Sequence, residues 1–173
     1  MSWFGRSKRA EEPPDAVGRL ERTVRAHMAA TDDSTVRVVA SVAGLLAGVA
    51  YADRDFGEAE AEMIRATLGR IPGLGAAGAS AVLGLLREIA AEAKAVHASR
   101  FTRILREELD RDGRIEILDL LVDLSAADGT ILTTETNFIR HVATGLGLTQ
   151  ADYNMSQARH RDKLAVLAET PGK

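Results

Sequence analysis

Residues 42–53 read Val-Ala-Gly-Leu-Leu-Ala-Gly-Val-Ala-Tyr-Ala-Asp, and residues 117–128 read Ile-Leu-Asp-Leu-Leu-Val-Asp-Leu-Ser-Ala-Ala-Asp. Both stretches are apolar at helical spacing, through Val42, Leu45, Leu46 and Val49 in the first and Ile117, Leu120, Leu121 and Leu124 in the second. Both close on Ala-Asp. The offset of 75 residues that aligns them keeps working beyond the helix. It pairs Phe56 with Ile131, Glu60 with Glu135, Ile64 with Ile139, Arg65 with Arg140 and Ile71 with Leu146. Apolar stripes align under many shifts. Asp, Glu and Arg matching in the same register mark an internal repeat.

The copies differ on one face. The first carries Ser41, Gly44 and Gly48 where the second carries Glu116, Asp119 and Asp123. The first helix therefore reads as buried all round, its glycines letting neighbours approach closely. The second reads as carrying a solvated acidic face. The nearly apolar run Val38 to Ala52 is shorter than the roughly 20 residues a bilayer span needs, which favours a buried central helix.

The rest of the chain follows helical periodicity, and no window alternates with period two long enough to read as a strand. Expected helices lie at about 15–30, 35–51, 58–68, 79–109 with a bend near Ala98-Ser99, 115–127, 133–146 and 151–167. Thr31-Asp32-Asp33-Ser34 and Asp110-Arg111-Asp112-Gly113 read as turns, and Ile71-Pro72-Gly73-Leu74-Gly75 as a break. The predicted fold is all-α: a compact bundle of about seven to eight helices with a pseudo-two-fold internal repeat. Its halves fall at about 35–74 and 110–149, inside one domain at 15–170. Residues 1–14 read as a flexible basic tail. There, Trp3 and Phe4 beside Arg6, Lys8 and Arg9 are candidates for peripheral membrane contact.

Composition bounds the function. The 173 residues are 46% hydrophobic and only 4% aromatic, so Leu, Val, Ile and Ala fill the core. A net charge of −3 speaks against a nucleic-acid surface. The absence of cysteine excludes disulfides, thiol catalysis and zinc sites built on Cys. It fits a cytoplasmic protein. Gly73-Leu74-Gly75-Ala76-Ala77-Gly78 spells a dinucleotide fingerprint but follows no strand. His27, His97, His141 and His160 lack paired metal spacing. Residues 108–119 match a calcium loop only in part, beginning with Glu108 and ending with Asp119 in a stretch that already reads as helix. No catalytic constellation emerges, so the chain is not expected to be an enzyme.

The repeated turn is the remaining chemistry. Asp53 and Asp128 each close a helix, and Glu60 and Glu135 fall in the first turn of the next one. There the macrodipole favours a carboxylate for purely local reasons. Four carboxylates brought together by a two-fold would also suit one hard divalent cation. Both readings stand on the residues alone.

Tyr51-Ala52-Asp53 through Glu60-Ala61-Glu62-Met63-Ile64, and Ala126-Ala127-Asp128-Gly129-Thr130-Ile131 through Glu135 with Phe138-Ile139, resemble the TerB-like family of tellurite-resistance proteins. The same fold occurs in the N-terminal region of DjlA-type membrane co-chaperones. The resemblance covers about residues 35–150. It implies an all-helical pseudo-two-fold fold and a non-enzymatic stress-response role, with a protein partner of unknown identity. It also implies a metal site holding one divalent cation (Ca, Mg, Mn or Zn) through Asp53, Glu60, Asp128 and Glu135. Arg54 departs from the family pattern, standing where Gly is usual, with Asp55 as a substitute ligand. No His-Pro-Asp tripeptide is present, so co-chaperone activity is not implied. The alternative is a metal-free interaction module working through Glu116, Asp119 and Asp123 or through the basic tail.

Overall fold

A computed structural model of the chain describes residues 15–52, 56–92, 98–127 and 129–160. These form eight helices: α1 (Ala16–His27), α2 (Asp33–Ala50), α3 (Glu58–Gly69), α4 (Gly75–Glu92), α5 (Ala98–Glu108), α6 (Arg111–Ser125), α7 (Thr133–Gly145) and α8 (Gln150–Ala158). The tail with Trp3 and Phe4, and the expected continuation of the last helix to 167, lie outside the described residues.

Four helices start on a side chain that accepts from their own first turn. Asp15 accepts from Gly18 N at 3.0 Å, Asp32 from Thr35 N at 2.8 Å and Asp110 from Gly113 N at 2.9 Å. Thr149 Oγ1 accepts from Asp152 N at 3.2 Å. Each bond satisfies a donor that the helix itself leaves unpaired. One expected boundary moves for this reason. Asp110 is an N-cap, so Arg111-Asp112-Gly113 form the first turn of α6 rather than a loop. That also removes the calcium-loop reading, because residues 111–125 are continuous helix. In the region expected as one bent helix at 79–109 the described residues form α4, which already begins at Gly75 inside the glycine motif, and α5, with residues 93–97 outside the described residues.

The core is built around α2. It packs against α1, α3, α4, α5, α6 and α7, and every residue from Val39 to Ala50 is buried. By length and mean hydropathy α2 could cross a membrane, yet 72% of it is buried inside the protein. Its two glycines are docking points for rings. A Cβ on Gly44 would overlap the Phe101 ring of α5, and a Cβ on Gly48 would overlap the Phe138 ring of α7. Close approach was expected of these glycines, and the partners are aromatic edges rather than helix backbones.

The offset of 75 residues carries the end of α2 at Ala50 onto the end of α6 at Ser125, and the start of α3 at Glu58 onto the start of α7 at Thr133. It also exchanges the packing pairs, since α2 meets α7 and α6 meets α3.

Candidate functional site

The two connections that carry the repeated Asp and Glu run from Tyr51 to Gly57 and from Ala126 to Leu132. Asp53, Arg54, Asp55 and Asp128 lie outside the described residues. Glu60 and Glu135 are described, and both sit at the third position of their helices. Glu135 is 7% exposed, and its Oε2 accepts the Leu132 backbone N–H at 2.7 Å. This is half of a capping box, since Leu132 has no side-chain acceptor to return the bond. Among the described residues Glu60 makes no corresponding bond to the Gly57 N–H. Its carboxylate folds back over Gly57, with Cδ 3.3 Å from where a Cβ would stand. The local helix-start role read from the sequence thus accounts for the conformation of Glu135.

The rims of the two connections differ in polarity. Phe56 is half-buried, with the Arg87 guanidinium 5.7 Å above its ring, and Arg87 also reaches Glu58 at 2.6 Å. Ile131, its counterpart, is buried. Gly129 holds φ +96°, a left-handed conformation that costs a side chain dearly. The first connection places Arg54 at the corresponding position.

Among the described residues no group of three or more His, Cys, Asp or Glu side chains is arranged to hold a metal ion. Glu60 and Glu135 supply hard carboxylate oxygens of the type a divalent cation takes, and both face the connections. The donor chemistry fits such an ion as far as these two residues go.

The acidic stripe on α6 is not a bare solvated face. Arg159, just past α8, places Nη2 at 3.3 Å from Asp119 and 3.1 Å from Asp123. His160 Nε2 lies 2.8 Å from Asp123 Oδ1. Glu116 is exposed. Two of the three acids proposed for partner binding are therefore engaged by the chain's own cations. Nothing in the local sequence of α6 announces this, because the partners lie about 40 residues downstream. The paired basic residues Arg159-His160, in the middle of the helix expected at 151–167, were the available signal.

The family sequence model described as tellurite resistance protein TerB matches residues 39–158. That span covers both connections and six of the eight helices in full. The chain belongs to the TerB family. No curated protein and no solved structure matches it. The TerB region begins inside α2 and closes with α8, so the Arg159–Asp119 clasp ties its last helix to its second half.

Proposed function

We propose that this TerB-family protein is a non-enzymatic, cytoplasmic stress-response protein of the tellurite-resistance type. In this reading its two connections together hold one divalent cation and present it to a protein partner. The ligands are Asp53, Glu60, Asp128 and Glu135, with the second half of the chain contributing the stronger pair. The observation that carries the reading is the seating of Phe138 on Gly48. Gly48 lies one turn before the first connection and Phe138 one turn after Glu135. A ring locked on a glycine there supports a shared end of the bundle for both connections. The coincidence of helix ends under the 75-residue offset supports a pseudo-two-fold relation between the halves.

Calorimetric titration with Ca²⁺, Mg²⁺, Mn²⁺ and Zn²⁺ tests this. Saturable heat for one of them in the wild type, lost in Asp128→Ala, is the expected result. No heat from any of the four removes the cation from the proposal. The competing reading is a metal-free interaction module, and it predicts a melting temperature indifferent to chelator. The Arg159 clasp weakens the version of that module that relies on Asp119 and Asp123.

A further inference from the structure

We infer that Tyr153 of α8 is the positioning residue of the second connection: its hydroxyl holds the start of α7 so that the Glu135 carboxylate stands ready for the cation. This rests on the cation reading of the two connections given above. Tyr153 is 2% exposed, and its phenol donates to the Thr136 carbonyl at 3.2 Å. Thr136 follows Glu135 directly, and its own N–H donates to Leu132 O at 2.9 Å. The Leu132 N–H in turn donates to Glu135 Oε2 at 2.7 Å. One chain of bonds thus runs from the buried phenol, through the first turn of α7, to the carboxylate. The Arg140 guanidinium, one turn further along α7, lies 5.5 Å from the centre of the Tyr153 ring. Tyr153 therefore grips α7 at two successive turns of one face.

The first half lacks this grip. The 75-residue offset carries the start of α4 at Gly75 onto the start of α8 at Gln150, and it places Gly78 where α8 has Tyr153. Gly78 is buried, with atoms of Leu74 and His27 within 3.0 Å of where its Cβ would stand. That position has neither a hydroxyl nor room for one. Arg65, the counterpart of Arg140, pairs instead with Glu62 of its own helix. Glu60, the counterpart of Glu135, makes no bond to the Gly57 N–H among the described residues. The bonded glutamate and the buried phenol thus occur in the same half. A carboxylate held by one oxygen keeps a fixed direction for the other. A ligand ordered before the ion arrives loses less freedom on binding it. Burial pushes the phenol up from its ordinary range, so it stays a donor at neutral pH. Apolar packing accounts for the ring but not for the hydroxyl, since phenylalanine would fill the same space.

Tyr153→Phe removes the hydroxyl alone and tests this in two ways. In the metal-free protein, protection of the Leu132 amide, taken relative to its intrinsic exchange, should fall about fivefold. Protection of the Thr35 amide, at the start of α2, should stay that of the wild type. In calorimetric titrations with Ca²⁺, Mg²⁺, Mn²⁺ and Zn²⁺ in turn, the ion that binds the wild type should bind the variant about fivefold more weakly. Equal loss of protection at Leu132 and Thr35 would overturn the inference, because the phenol would then serve only the stability of the whole fold. So would a wild-type affinity left unchanged in Tyr153→Phe. Absence of heat from all four ions in the wild type is a separate failure: it removes the cation reading itself, and this inference with it.

Discussion

Where α2 carries Gly44 and Gly48, α6 carries Asp119 and Asp123 at the same offset. The first pair receives the rings of Phe101 and Phe138; the second receives Arg159 and His160. The two helices end at matching positions under the 75-residue offset, but one fastens its neighbours by removing side chains and the other by charging them. The difference follows from depth. α2 is enclosed by six other helices, so a carboxylate there would be stranded away from water. Asp119 and Asp123 keep about a third of their side-chain surface exposed, so they can be both solvated and paired. The two means differ in strength. Ring burial on α2 should count for kilocalories, and partly exposed ion pairs on α6 for fractions of one.

The largest effect should come from Phe101→Ala, which empties the space over Gly44 in a site 2% exposed. A loss of about 3–5 kcal/mol is expected in denaturant unfolding. Gly44→Ala should cost about 1–3 kcal/mol in the wild type, because its methyl meets the ring. In the Phe101→Ala background the same substitution should become neutral or stabilising by up to about 1 kcal/mol, since alanine favours helix once the ring is gone. A cost that stays the same in both backgrounds would separate Gly44 from Phe101 and undo this half of the comparison.

Arg159→Ala should cost no more than about 1 kcal/mol. Its contribution should shrink between low and about 1 M salt, whereas the Gly44 and Phe101 effects stay constant. Salt-independence of Arg159→Ala would mean that packing, not charge, fastens α8 to α6. Acid should act on both halves alike. The Asp32 carboxyl, at the start of α2, is held below the ordinary carboxylate range by the backbone N–H and then the hydroxyl of Thr35. The Asp152 carboxyl, in α8, is held low by the backbone and then the hydroxyl of Thr149, with Arg111 adding to this. A lowered folded-state pKa stabilises above the unfolded value and loses that contribution as pH falls through the lowered one. Protection of the Thr35 and Thr149 amides, taken relative to their intrinsic exchange at each pH, should therefore be steady from neutrality to about pH 5 and fall below about pH 4. Loss of protection beginning near pH 6 would point to other groups.

Helix content and the buried role of α2 were legible because they rest on local periodicity and on glycine spacing. The starts of α4 and α6 were not, for a definite reason. Asp110-Arg111-Asp112-Gly113 has turn composition, but one carboxylate capping Gly113 is enough to bring those residues into the helix. The N-terminal glycines of α4 were read as a break, and helix geometry absorbed all but the first two residues of the motif. The local role of Glu135 could be read in advance, since it depends only on a residue three positions away. The Arg159–Asp119 meeting could not, because it joins positions 40 residues apart through packing that no short window contains.

The cation at the two connections is the central claim, and Glu135→Gln tests it most directly. Glutamine keeps an oxygen for the Leu132 N–H, so the cap and the melting temperature should survive. It removes the charge that a hard cation needs. Side-by-side calorimetric titration of wild type and Glu135→Gln should show saturable divalent-cation binding in the first and at least about tenfold weaker binding in the second. Equal affinities in the two proteins would contradict the account and leave Glu135 with its helix-start role alone.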